Sequence, residues 1–195
     1  MRDVQHSMRE IAEHVLDASG VLNGKQVDSF IRALLDAKRV FVIGAGRSGL
    51  VAKAFAMRLM HLGLDIHVVG ETITPALREG DILVVVSGSG ETGLPVSAAE
   101  VAKKIGAKIA AVTSYPRSGL ARVADHVVVL PGRAKTESTT DFVHRELTGE
   151  YASLAPLGTM FEITALVFFD GVVASLMTSL GKKEEDLRAR HATIE

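Results

Sequence analysis

Residues 40–49 read VFVIGAGRSG, an apolar run that closes on Gly44, Gly46 and Gly49. A short run rich in β-branched residues and ended by glycine describes a buried strand, and the G-x-G-x-x-G spacing describes a tight strand-to-helix turn. Two readings share that spacing. A dinucleotide fold lays a pyrophosphate on the turn and wants an acidic residue about twenty positions on. Glu71, 22 residues beyond Gly49, half meets that condition. In the other reading the glycines serve only to let strand and helix approach each other.

Working outward, similar runs recur at 39–43, 66–69, 82–86, 109–112 and 126–130, each bounded by Gly, Pro, Ser or Asp. Val51, Phe55, Leu59 and Leu62 follow the first turn at helical spacing, and Val96, Ala99 and Ile105 follow Glu91 in the same way. A short helix is expected after Arg117. The stretch GETITPALREGD, residues 70–81, reads as a turn segment. Continuous apolar strands alternating with helices predict an α/β fold: a five-stranded parallel sheet covered on both faces, flavodoxin-like in plan. Ligands on such sheets sit at the carboxyl ends of the strands.

Two amphipathic helices precede the sheet. Val4, Met8, Ile11, Val15 and Leu16 mark the first; Val27, Phe30, Ile31, Leu34 and Leu35 mark the second, with Asn23-Gly24 between them. After the last strand the chain turns polar, and a loop that long inside a compact domain is uncommon and often functional. A very apolar helix from about residue 158 to 180 and a charged tail complete a single-domain plan: N-terminal helices 1–38, α/β core 39–131, active-site loop 132–157, oligomerising helix and tail 158–195.

The 195 residues include no cysteine, which excludes disulfides, thiol chemistry and cysteine-held zinc. The formal net charge is −1 with no basic cluster, so nucleic acid is a poor partner. The N-terminal residues lack a continuous apolar region of the secretory kind, and a cytoplasmic chain is expected. Residues 161–180 are apolar enough to suggest a membrane span, yet they carry Glu162 and Asp170, and an acidic group near the bilayer centre costs roughly 3 kcal/mol. A helix buried in an oligomer is the better reading, and a closed homo-oligomer, a dimer or a dimer of dimers, is expected because so small a domain cannot cover that helix alone. The histidines show no metal-ligand spacing, so no metal site is expected.

A second loop decides between the readings of the first. Ser87 to Thr92, SGSGET, follows another buried run and opens another helix. Ser87, Ser89 and Thr92 offer hydroxyls, Gly88 and Gly90 let backbone N–H groups come close, and the helix start adds a positive dipole end. That is a phosphate cradle, to which Gly46 and Ser48 of the first loop are expected to contribute. A dinucleotide fold has no use for it. One capping serine is ordinary; this density of hydroxyls and glycines exceeds what a cap requires.

The pairing of GAGRSG with SGSGET resembles the sugar isomerase (SIS) family, whose phosphate loop has the form S-x-S-G-x-T. Within it, AFAMRLMHLG (54–63), VVGETITPAL (68–77), LAPLGTMFE (154–162) and the terminal RHATIE (190–195) resemble the 6-phospho-3-hexuloisomerase group, the tail departing from a RHANLE-like ending at Thr193 and Ile194. The resemblance implies conversion of 3-hexulose 6-phosphate to fructose 6-phosphate through an enediolate, with no cofactor. Glu162 is then the expected base, opening the most apolar helix, where desolvation raises a carboxyl pKa. On spacing alone Thr159-x-x-Glu162 reads equally as a capping box. Arg47 is the candidate oxyanion donor, with a solvated loop cation as the alternative. Glu71 and Thr72 are placed to meet substrate hydroxyls or to form a turn. His191 is a second acid/base candidate, or a cation offsetting a helix dipole. The rival functions are arabinose-5-phosphate isomerase, a non-catalytic sugar-phosphate-binding module and a dinucleotide-dependent oxidoreductase.

Overall fold

A computed structural model describes residues 2–132, 155 and 158–191; most of the expected active-site loop and the last four residues lie outside the described set. Strands β1 (Val40–Gly44), β2 (Ile66–Val68), β3 (Ile82–Val86), β4 (Lys108–Thr113) and β5 (His126–Val129) form one parallel sheet in the order β2-β1-β3-β4-β5. They fall within a residue or so of the runs read from the sequence. β-branched side chains buried on both faces leave such strands no solvated side, which is why they read as unbroken apolar runs. In register, Gly44 pairs with Val86, so the loops after β1 and β3 leave adjacent strand tips. The chain turns one way from β1 to β2 and the other way from β3 to β4. The crevice between β1 and β3 is therefore the switch point where ligands bind in this architecture.

Helices α1 (Arg2–Gly20), α2 (Gly24–Asp36), α3 (Arg47–Leu62), α4 (Gly93–Ile105), α5 (Gly119–Val123), α6 (Thr159–Leu180) and α7 (Glu184–Arg188) surround the sheet among the described residues. One core joins α2, α3 and α6 to the β1 and β3 side chains Val40, Val42, Ile82, Val84 and Val86. Stacking of Phe55 on Phe169 at 4.2 Å between ring centroids fastens α3 to α6. The smaller core on the other face joins α4 and α5 to Phe41, Ile43, Leu83 and Val85. Residues 69–81, between β2 and β3, contain no helix, as the turn-rich composition implied.

Apolar α6 meets the length and hydropathy criterion for a membrane span, but one side of it is core: Phe161, Ala165, Phe168, Phe169, Val172 and Leu176 are buried. At the N-terminal ends of the strands Arg39 holds Asp81 at 2.6 Å and also donates to the Ala76 carbonyl, tying the starts of β1 and β3 to the 69–81 segment. Burial pushes the Asp81 carboxyl up. The hydrogen bonds from the Arg39 guanidinium and the Arg78 N–H, with their positive charges, outweigh that and hold it below the ordinary carboxylate range.

Candidate active site

Each glycine of the first loop has its own reason. A Cβ on Gly44 would lie 2.7 Å from the Ser48 carbonyl group, and one on Gly49 would lie 2.7 Å from the Gly44 carbonyl oxygen, so strand end and first helical turn touch through bare backbone. Gly46 caps α3 with φ +56°, in the left-handed region that favours glycine. The turn delivers Arg47 and Ser48 as the first two residues of α3, at the positive end of its dipole.

The second loop folds its hydroxyls inward. Thr92 occupies the N-cap position of α4, yet its side chain makes no capping bond. Its Oγ1 lies 3.2 Å from Ser87 Oγ and 3.4 Å from Ser89 Oγ, so the three hydroxyls meet in one cluster. Ser87 Oγ and Ser89 Oγ accept from the N–H groups of Gly90 and Glu91. The Gly88 carbonyl accepts from the Ser114 N–H at 3.0 Å and the Thr113 hydroxyl at 3.3 Å, which pins the loop to the tip of β4. Gly90, at φ +63°, has no room for a Cβ beside Ser118, and the Glu91 carboxylate accepts from the Gly119 N–H. The loop is rigidly braced, with its hydroxyls held ready at a helix start, the arrangement that suits a phosphoryl group.

Glu162 reaches this region from the far end of the chain. Gly158 caps α6 at φ +89° and Thr159 is the first helical residue, so the capping box readable in the sequence does not form. The Glu162 carboxylate instead pairs with the Arg47 guanidinium, 115 residues away. Its side chain is 12% exposed and that of Arg47 is 59% exposed, so the cation lies on the solvent side of the pair. The preceding residue sets the distance to the phosphate loop: a Cβ on Gly88 would lie 2.9 Å from the Phe161 ring. Glu162, Arg47, Ser48 and the SGSGET hydroxyls thus share one strand-tip cluster.

Glu71 stands at the tip of β2 on the same edge, where Lys53 of α3 pairs with it at 2.5 Å. Thr72 is exposed beside it. Lys53 escaped the sequence reading because a whole strand separates it from Glu71. Ser114 escaped it too: its Oγ is buried next to Gly132 without a hydrogen-bond partner among the described residues, and its signal was its place at the end of an apolar run.

His191 does not join the cluster within one chain. α6 carries the chain down the full depth of the sheet and α7 returns it to the C-terminal end of α3, where the His191 and His61 rings lie 5.1 Å apart and Arg190 sits under Gly63. Since α3 is about 24 Å long, this is the opposite end of the helix from Arg47. Asp170, exposed on α6, lies 3.9 Å from Arg58 of α3.

A family model described as the SIS domain matches residues 33–146. The chain is 42% identical over 193 residues to a 3-hexulose-6-phosphate isomerase of Mycobacterium gastri, covering 99% of this chain and 92% of that one. It is 50% identical to an uncharacterized protein of Aeropyrum pernix over 97% of its own length and 91% of the other. A Methanococcus jannaschii protein whose crystal structure infers a molecular function of 3-hexulose-6-phosphate isomerase superposes with a TM-score of 0.77 at 32% identity, over 100% of both chains.

Proposed function

The chain belongs to the SIS domain family, and from that premise we propose that it is a cofactor-independent isomerase interconverting 3-hexulose 6-phosphate and fructose 6-phosphate. The single observation that carries the reading is the juxtaposition of the Ser87–Ser89–Thr92 hydroxyl cluster with the Glu162–Arg47 pair through the Phe161–Gly88 contact. The hydroxyls and the α4 start hold the phosphoryl group. The carbon chain then runs toward the carboxylate, entering between Glu162 and Arg47 and taking over both partners.

Glu162 removes the proton on C2, and the electron pair moves to the C3 carbonyl to give an enediolate. Arg47 faces the oxygen that gains charge. A proton passes from O2 to O3, Glu162 returns its proton to C3, and the carbonyl stands at C2 with no net redox change. A 3-ketose phosphorylated at O6 cannot close a five-membered ring through that oxygen, so the forward reaction requires no ring opener. His191 takes part in this scheme only where a second subunit brings its tail to the site. Glu71 and Thr72 are placed for substrate hydroxyls at the rim.

The homo-oligomer expected from the apolar α6 has a surface to match. Val4, Met8 and Leu16 on α1 and Val167 on α6 are apolar side chains left exposed in the single chain, on two helices that pack against each other. Sugar phosphates are ionic and do not cross membranes unaided, so an enzyme that uses them works where they are made, which supports a cytoplasmic reaction.

The test is turnover on 3-hexulose 6-phosphate beside arabinose 5-phosphate. The hexulose is expected to be the faster substrate, and Glu162→Gln is expected to lower turnover about 10²- to 10⁴-fold while fructose 6-phosphate still binds. Full activity in that variant removes Glu162 as the base. Binding without turnover in the native chain would leave a sugar-phosphate-binding module.

A further inference from the structure

The SGSGET loop contains one charged side chain, and its sign is wrong for a phosphoryl group. Glu91 stands between Gly90 and Thr92, inside the cradle. A carboxylate beside an anion site repels the ligand unless it is turned away. Here it is turned away. It reaches across to the segment after β4, 28 residues on, where its Oε1 accepts from the Gly119 N–H at 2.7 Å. A hydrogen bond to an ionised acceptor is roughly twice as strong as a neutral one. Glycine at 119 suits the contact, because a Cβ there would lie 3.0 Å from Glu91 Oε2. The post to which the carboxylate is tied is itself fixed. Ser118 is buried and caps α5 by accepting from the Ala121 N–H, and Leu120 is fully buried in the smaller core.

The bond falls where the loop has least other support. Up to Gly90 the loop is tied through backbone: the Gly88 carbonyl accepts from the tip of β4, and the Gly90 carbonyl accepts from the Leu120 N–H at 3.0 Å. Gly90 then takes φ +63° and the chain turns toward α4. Past that turn the Thr92 side chain makes no capping bond. Among the described residues, the tie from residues 91–92 to the β4–α5 segment is the Glu91 carboxylate. The N–H of the same residue donates to Ser89 Oγ at 3.3 Å. Glu91 therefore grips the post with its side chain and Ser89 with its backbone. The next residue is Thr92, whose hydroxyl lies between those of Ser87 and Ser89.

We propose that Glu91 is a positioning residue for phosphoryl binding: by anchoring to Gly119 it holds Ser89 and Thr92 in the geometry that receives the ligand, and it keeps its own charge off the site. This rests on the reading of SGSGET as the phosphoryl cradle. Glu91 acts through its two neighbours and does not touch the ligand. A loop that holds its hydroxyls in place for a fraction of the time binds with an affinity reduced by that fraction. Release of the anchor therefore weakens every ligand that enters by its phosphoryl group. The proton transfer at Glu162 is served by a different element, α6, so the chemical step is spared.

Inorganic phosphate is titrated calorimetrically into the native chain, Glu91→Ala, Glu91→Gln, Gly119→Ala and the Glu91→Ala/Gly119→Ala double variant, with circular dichroism to show that the fold is retained. Glu91→Ala is expected to bind about tenfold more weakly. Glu91→Gln, whose amide oxygen still accepts from Gly119, is expected to stay within about threefold of the native chain. Gly119→Ala displaces the carboxylate from the other side, so it is expected to weaken binding and to add little to Glu91→Ala in the double variant. In turnover on 3-hexulose 6-phosphate, Glu91→Ala is expected to raise KM about tenfold with kcat within about twofold. Phosphate binding by Glu91→Ala as tight as the native chain's, or tighter, overturns the proposal. So does a glutamine variant as weak as the alanine one, or full additivity of the two substitutions. A native chain that binds no phosphate overturns the cradle reading itself, and a native chain that binds phosphate without turning over the hexulose removes the isomerase reading alone.

Discussion

At Gly88 the space for a side chain is already taken. A methyl group there would meet the Phe161 ring at 2.9 Å, and Phe161 is followed at once by the carboxylate on which the proposed chemistry depends. Gly88→Ala is expected to fold and to bind phosphate, but to lose about 100-fold in kcat, because displacing the reacting group by about 1 Å costs that much. Steady-state kinetics on 3-hexulose 6-phosphate measures this, and unchanged kcat would mean that the ring yields freely. Asp81 gives a prediction in pH. Its folded pKa lies below its unfolded one, so its stabilisation is present above about pH 4 and fades as the pH falls below that. Asp81→Asn should cost about 2 kcal/mol at neutral pH, with the gap to the native chain narrowing as the pH falls below about 4, as urea midpoints at neutral and acid pH would show. The sequence already told that the loop glycines mark turns, because spacing and composition carry that signal. It could not tell that Arg47 and Glu162 meet, because a contact across 115 residues leaves no trace in local pattern.

Among the elements, α3 and α6 matter most, since one carries Arg47 and the other Glu162, and both are held by the same aromatic stack. Phe169→Ala removes the partner of Phe55 from a fully buried position. It is expected to lower stability by about 3–5 kcal/mol in urea denaturation, and to lower turnover beyond the loss of folded protein by loosening the helix pair. The five strands and the longer helices were legible because their periodicities, near 2 and 3.6, survive in a single sequence. The cap of α6 was not. Thr159 and Glu162 satisfy the capping-box pattern, but Gly158 can adopt φ +89° and takes the cap, which frees Glu162 for Arg47. Five-residue α7 went unread because one turn of charged residues has no apolar period.

On the scale of the whole molecule, the two loops that hold the candidate site were readable as a pair, and their expected meeting on one phosphoryl group called for neighbouring strand tips, which local pattern alone does not fix. Strand order is a property of long-range pairing, and Gly44 beside Val86 is what brings them together. The same limit applies to His191. The tail motif was visible in the sequence, while its place at the far end of α3 follows from the length of α6 and the turn after it. The apolar composition of residues 161–180 was legible as a helix, and within one chain α1, α2 and α3 pack against it.

The contact between Phe161 and the backbone of Gly88 also acts as a ruler. On the proposed chemistry it is expected to fix how many carbons fit between the phosphorylated end of a sugar and the carboxylate, as a stop fixes the throw of a lever. A sugar one carbon shorter, anchored by the same phosphate, would present its reactive C–H bond short of Glu162. Selection by length can therefore operate before any hydroxyl is inspected, with the thickness of one benzene ring as its gauge.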